Sequence, residues 1–148
     1  MTELSHVGET GDVRMVDVAA KPESKRRAVA RATLRMAATT AQRLRALPKG
    51  DALATAQIAG IMAAKRTGDL IPLCHPLPLT NVEVSCEVGD ASVEIVASAE
   101  TIARTGVEME ALTAASVAAL TVYDMAKAID KEMVIAEVVL VEKTKEPI

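Results

Sequence analysis

Val82-Glu83-Val84-Ser85-Cys86-Glu87-Val88-Gly89-Asp90, continued by Ala91-Ser92-Val93-Glu94-Ile95-Val96-Ala97-Ser98-Ala99-Glu100, decides the fold. Val82, Val84, Cys86 and Val88 share one side of an extended chain, and Glu83, Ser85 and Glu87 take the other. After the turn signal Gly89-Asp90, Val93, Ile95, Ala97 and Ala99 alternate with Glu94, Ser98 and Glu100. Two runs of period two around a turn predict a β-hairpin with one face buried.

The same alternation occurs upstream. Ala28, Ala30, Ala32, Leu34 and Met36 fall on one face, opposite Arg31, Thr33 and Arg35, which predicts a half-buried strand. Residues 15–19 are a short apolar-rich piece and a candidate first strand. Residues 39–47 read as a short helix ended by Pro48 and Gly50. Asp51 is placed to cap a second helix over about residues 52–66, ended by Gly68 and Asp69. Thr105-Gly106 opens a long helix over about residues 107–130, and residues 133–141 form a closing apolar strand. Strand, helix, strand, strand, helix, strand is the split βαβ order. It predicts an α+β, ferredoxin-like fold, an antiparallel sheet with helices packed on one face.

Residues 1–14 lack an apolar period and read as a flexible N-terminal tail, with the folded domain over residues 15–143 and a C-terminal tail over 144–148. The 148 residues favour one domain. Tyr123 is the only residue of the Phe, Trp and Tyr class, and the net charge is −3. Without aromatic platforms or a basic excess, nucleic acid is a poor partner. The start of the chain does not resemble a secretory signal, and no apolar run is long enough to span a bilayer, so a cytoplasmic address is expected.

Four features could carry chemistry. Asp124 and Lys127, three apart, share a helix face among apolar neighbours that suggest partial burial, an arrangement suited to acid/base work; an ordinary surface ion pair explains the same spacing. Glu108 and Glu110 stand in the first turn of that helix, where the dipole alone favours acids. Glu110 and Asp124 are fourteen residues apart, about 21 Å along the axis, so one small-molecule site using both requires a second copy of the chain. The helix between them is apolar nearly all round, as expected of one covered on several sides. His75 sits in a stiff loop, residues 70–80, with Pro72, Pro76 and Pro78. Lys49-Gly50-Asp51 precedes a helix N-terminus and has a weak phosphate-binding character. Cys74, His75, Cys86 and His6 have no recognised zinc spacing, so no metal site is expected.

Met15-Val16-Asp17-Val18, Lys49-Gly50-Asp51, Ala63-Ala64-Lys65-Arg66-Thr67, Leu70-Ile71-Pro72-Leu73-Cys74-His75-Pro76-Leu77, Gly106-Val107-Glu108-Met109-Glu110-Ala111-Leu112-Thr113 and Tyr123-Asp124-Met125-Ala126-Lys127 together resemble the MoaC family. These are the cyclic pyranopterin monophosphate synthases of molybdenum-cofactor biosynthesis. The resemblance spans about residues 4–143.

It implies a lyase that converts 3′,8-cyclo-7,8-dihydro-GTP to cyclic pyranopterin monophosphate and releases pyrophosphate. It implies a homohexamer, a trimer of dimers, with active sites between subunits. It assigns catalytic positions to Asp124, Lys127, Lys49 and His75, and substrate contacts to Leu73, Cys74, His75, Met109, Glu110, Glu108, Lys65 and Lys49. No electrons move, so no cofactor is required, although magnesium can accompany the triphosphate. Family members often end in a Gly-rich, Lys-containing segment, whereas here Glu142-Lys143-Thr144-Lys145-Glu146-Pro147-Ile148 has no glycine. A ligand-sensing module and a structural subunit are the rival readings. Turnover argues against the first, and self-association of this chain alone against the second.

Overall fold

The computed structural model describes residues 5–148. The elements are β1 (Ser24–Arg35), α1 (Ala38–Ala41), α2 (Ala52–Lys65), α3 (Thr67–Leu70), β2 (Leu79–Val88), β3 (Ser92–Ala103), α4 (Glu108–Ala126) and β4 (Val134–Pro147). The sheet order is β2-β3-β1-β4 and every neighbouring pair is antiparallel. The helices α2 and α4 pack on one face, so the fold is α+β and ferredoxin-like. No helix among the described residues is long and apolar enough to cross a membrane.

Alternation sets the faces. Ala28, Ala30, Ala32 and Leu34 of β1 are buried beneath the helices, and they stand opposite Ala99, Ala97, Ile95 and Val93 of β3. Small side chains let the helices come close. On α4, Ala111, Ala114, Ala115, Ala118, Ala119 and Val122 are buried. Gly60 of α2 faces them so tightly that a Cβ there would lie 2.9 Å from Val84 Cγ2 and 3.0 Å from the Ala114 carbonyl oxygen. Leu34, Leu44 and Ile95 are fully buried, each contributing about 1.5–3 kcal/mol of transfer free energy.

Several boundaries differ from the alternation and propensity reading; the long helix, expected to about residue 130, ends at Ala126. Residues 15–19 form no strand. Asp17 Oδ1 accepts from the Ala19 N–H at 2.9 Å, which turns the chain, and Val16 and Val18 line a cavity instead of a ladder. The helix expected over 39–47 shrinks to α1. Beyond it the chain runs in tight i→i−3 turns, Arg43 N–H to the Thr40 carbonyl and Ala46 N–H to that of Arg43, both 2.9 Å. Gly68 and Asp69, expected to end the second helix, lie within the extra turn α3. The last strand does not stop at Val141. It pairs with β1 as far as Pro147, so residues 144–147 are strand and not tail. Both faces of that extension are exposed, which erases the alternation by which strands are recognised.

Asp130 ties the far ends of this fold together. Its carboxylate accepts from the Ala37 N–H and Thr40 Oγ1, both at 2.9 Å, and from the Glu132 N–H at 3.0 Å. The backbone N–H groups of Ala37 and Glu132 hold it below the usual carboxylate range.

Candidate active site

Two groups of functional side chains occupy opposite ends of α4. The first is at the carboxyl end. Residues Leu47 and Gly50 close a turn on each other, with N–H to carbonyl distances of 3.0 and 2.9 Å. Gly50 has φ +118°, which L side chains rarely adopt. Asp51 then caps α2, accepting from the N–H groups of Leu53 at 2.9 Å and Ala54 at 3.1 Å. With both ends of the turn held, Lys49 reaches Asp124: its Nζ is 3.0 Å from Oδ2 and 3.5 Å from the backbone oxygen. Lys127, the C-cap of α4, places Nζ 3.0 Å from Oδ1.

Each oxygen of Asp124 therefore faces one ammonium. The hydrogen bond from Lys127, then that from Lys49, holds the carboxyl below its ordinary range. The expected partial burial is not found. Asp124 and Lys127 are 53% and 56% exposed, because the apolar neighbours Val122, Met125 and Ala126 turn inward and leave the polar face open. This cluster offers a permanent carboxylate and two proton-bearing ammonium groups next to solvent, the parts of an acid/base and anion-binding centre.

The second group surrounds a cavity of about 320 Å³ at the amino end of α4, lined by Glu108, Met109 and Glu110 with Leu73, Cys74 and His75 of the Pro-rich loop. The loop is anchored from below. Thr101 Oγ1, fully buried, donates to the Pro78 carbonyl at 2.8 Å. Gly68 backs onto Pro76, where a Cβ would be 3.2 Å from its Cα. Glu110 is 3% exposed, and burial pushes its carboxyl up, with Glu108 adding to the rise. Burial, then Glu110 and Glu108, likewise raises the Cys74 thiol. The Glu108 carboxylate lies over Gly106 and 3.7 Å from Lys143.

One chain thus brings Lys49, Asp124 and Lys127 together and leaves His75 with Glu108 and Glu110 at the other end. Lys65 belongs to neither group; it lines a separate groove with Ile61 and Leu79. A further cationic surface lies beside the cavity. Arg26, Arg27, Lys143 and Lys145 line a cleft of about 160 Å³ that shares Gly106 and Glu108 with the larger cavity. Register puts Arg26 directly opposite Lys145, a like-charge pair that an anion would relieve. Only the extension of β4 assembles it. Among the described residues, no three His, Cys, Asp or Glu side chains gather as metal ligands would.

A family profile described as the MoaC family matches residues 15–146. A protein of Roseiflexus sp. (strain RS-1) is 60% identical over 148 residues, covering 97% of this chain and 94% of the relative. One of Thermomicrobium roseum is 58% identical over 147 residues, 97% and 89% of the two chains. One of Streptomyces avermitilis is 56% identical over 143 residues, 95% and 84%. All three relatives carry the name cyclic pyranopterin monophosphate synthase.

Proposed function

The chain belongs to the MoaC family, and from that premise we propose that it converts 3′,8-cyclo-7,8-dihydro-GTP to cyclic pyranopterin monophosphate, releasing pyrophosphate, in molybdenum-cofactor biosynthesis. The Lys49–Asp124–Lys127 cluster carries the reading. Ring opening and reclosure move protons and no electrons, and this cluster pairs a carboxylate that stays ionised with two ammonium donors. The acceptor-rich cavity around Glu110 suits the guanine-derived ring, whose amino and ring N–H groups need acceptors. Pyrophosphate departs as an anion, and Lys49 and Lys65, with Lys21 and Arg26, supply positive charge for it.

Glu110 and Asp124, fourteen residues apart on α4, are separated by about 21 Å along its axis, too far for one small substrate. The active site is therefore shared: His75 and Glu110 of one copy face Asp124, Lys127 and Lys49 of another. A closed homohexamer, a trimer of dimers, satisfies this geometry and covers Leu120, Val138 and Leu140, which one chain leaves exposed. The cytoplasm, where the nucleotide precursor is made, is the matching compartment.

The direct test is incubation of the chain with the cyclic GTP derivative. Stoichiometric pyrophosphate and a cyclic-phosphate pterin are expected. Binding without turnover would replace this reading with a ligand-sensing one.

A further inference from the structure

Ser5 and His6, remote in sequence from His75, Cys74 and Glu110, line the same cavity as those residues. The segment that carries them is closed on itself. Val7 bridges Val13, the Gly8 N–H donates to the Asp12 carbonyl at 2.8 Å, and the Arg14 N–H donates to the His6 carbonyl at 2.9 Å. Arg14 Nε reaches the Ser5 carbonyl at 3.3 Å, and Thr10 Oγ1 reaches Asp12 at 2.9 Å. Gly11, at φ +84°, makes the turn. Among the described residues, every hydrogen bond made by residues 5–14 ends within the segment. It is a small unit, ordered inside and joined to the body through the extended residues that follow, which is how a lid is built.

The His6 ring has a defined chemistry. Its Nδ1 lies 3.3 Å from the Arg14 carbonyl oxygen. A carbonyl can only accept, so Nδ1 is the donor to it, and the tautomer with its proton on Nδ1 has a lone pair on Nε2. The rest of the cavity wall is also rich in acceptors, in the carboxyl groups of Glu108 and Glu110. A heterocycle with several N–H donors complements those acceptors, and Lys21 in the same lining can meet the phosphate that the ring carries.

We propose that His6, carried on a flap made of residues 5–14, contacts the guanine-derived ring of the bound nucleotide and accepts a hydrogen bond from it through Nε2. This rests on the synthase reading above. The flap supplies the ring end of the site with a cover that this chain's glycine-free C-terminus, committed to β4, does not provide.

The test uses the full chain and three variants, measured by steady-state pyrophosphate release from the cyclic GTP derivative. His6→Ala is expected to raise KM about tenfold, the loss of one hydrogen bond to a bound ligand, with kcat nearly unchanged. His6→Gln keeps a polar atom at the Nε2 position and restores most of the affinity. His6→Asn keeps the donor to the Arg14 carbonyl but loses the cavity atom, and stays as weak as His6→Ala. Rescue by Asn and not by Gln would make His6 a fastener of the flap and overturn the contact. Wild-type KM in His6→Ala would overturn it too. A wild-type chain that releases no pyrophosphate would overturn the synthase reading and this proposal with it.

Discussion

Lys49 Nζ stands 3.0 Å from Asp124 Oδ2, joining a turn before α2 to the last turn of α4 across 75 positions of sequence. Because the pair is about half exposed, solvent screens it and it contributes little to folding. Asp124→Asn and Lys127→Ala are therefore expected to fold with an unchanged melting temperature while pyrophosphate release falls about a hundredfold or more. A folded Asp124→Asn that turns over normally removes the carboxylate from the mechanism. Lys49→Ala should behave in the same way.

Subunit sharing makes a stricter prediction. His75→Ala and Asp124→Asn each disable one end of the site, on opposite ends of α4. Mixed by co-expression, they form hybrid pairs in which one site has both ends intact. Random pairing restores roughly a quarter of the sites. Two dead variants that stay dead when mixed, while shown to co-assemble, would confine the site to one chain.

Glu110 gives a stability signature against pH. Its carboxyl is raised by burial, so the native state holds a proton where the unfolded chain has lost it. Its contribution is fully present below about pH 4.3, the ordinary glutamate value, and is lost as pH rises through the folded value. Glu110→Gln removes that loss. The variant should melt with the wild type near pH 4 and above it at pH 8, while KM rises. Identical melting profiles across that range would mean Glu110 is not desolvated.

Thr101→Val tests the anchor of the Pro-rich loop. The substitution keeps the shape and leaves the Pro78 carbonyl without its 2.8 Å donor. A loss of about 1–3 kcal/mol is expected in denaturant unfolding. KM should rise as well, because the loop that carries His75 is loosened.

Gly60→Ala tests the helix contact. The added methyl meets Val84 and the Ala114 carbonyl at 2.9 and 3.0 Å, against backbone that cannot step aside without moving α4. Overpacking of this kind costs about 1–3 kcal/mol. Unfolding in urea that matches the wild type would show that the helices have room to separate.

The hairpin and β1 were legible because one face of each is buried, and burial writes a period of two into the sequence. β4 was legible only as far as Val141, since Glu142 to Glu146 meet water on both faces. The αβ order, the Asp51 cap and the Asp124–Lys127 pair follow from local rules. The Lys49–Asp124 contact does not, because no spacing rule joins residues in different elements. The apolar text around Asp124 was misread as burial, although it describes the inward half of the helix. His6 entered only as a failed zinc ligand, and nothing local to it says that residue 6 returns to the wall that holds residue 75.

Tyr123 is the one Tyr, Phe or Trp of the chain, half-buried against the core and adjacent to Asp124. Ultraviolet emission from each chain therefore arises from a single ring, one residue away from the carboxylate at the carboxyl end of α4. Under the proposed function, a nucleotide arriving there is expected to change that signal against no Phe, Trp or second Tyr background from the chain. The same economy makes absorbance at the usual protein wavelength very weak, so concentration is better measured through the peptide bond. The protein carries its own optical reporter, one residue from the Asp124 carboxylate.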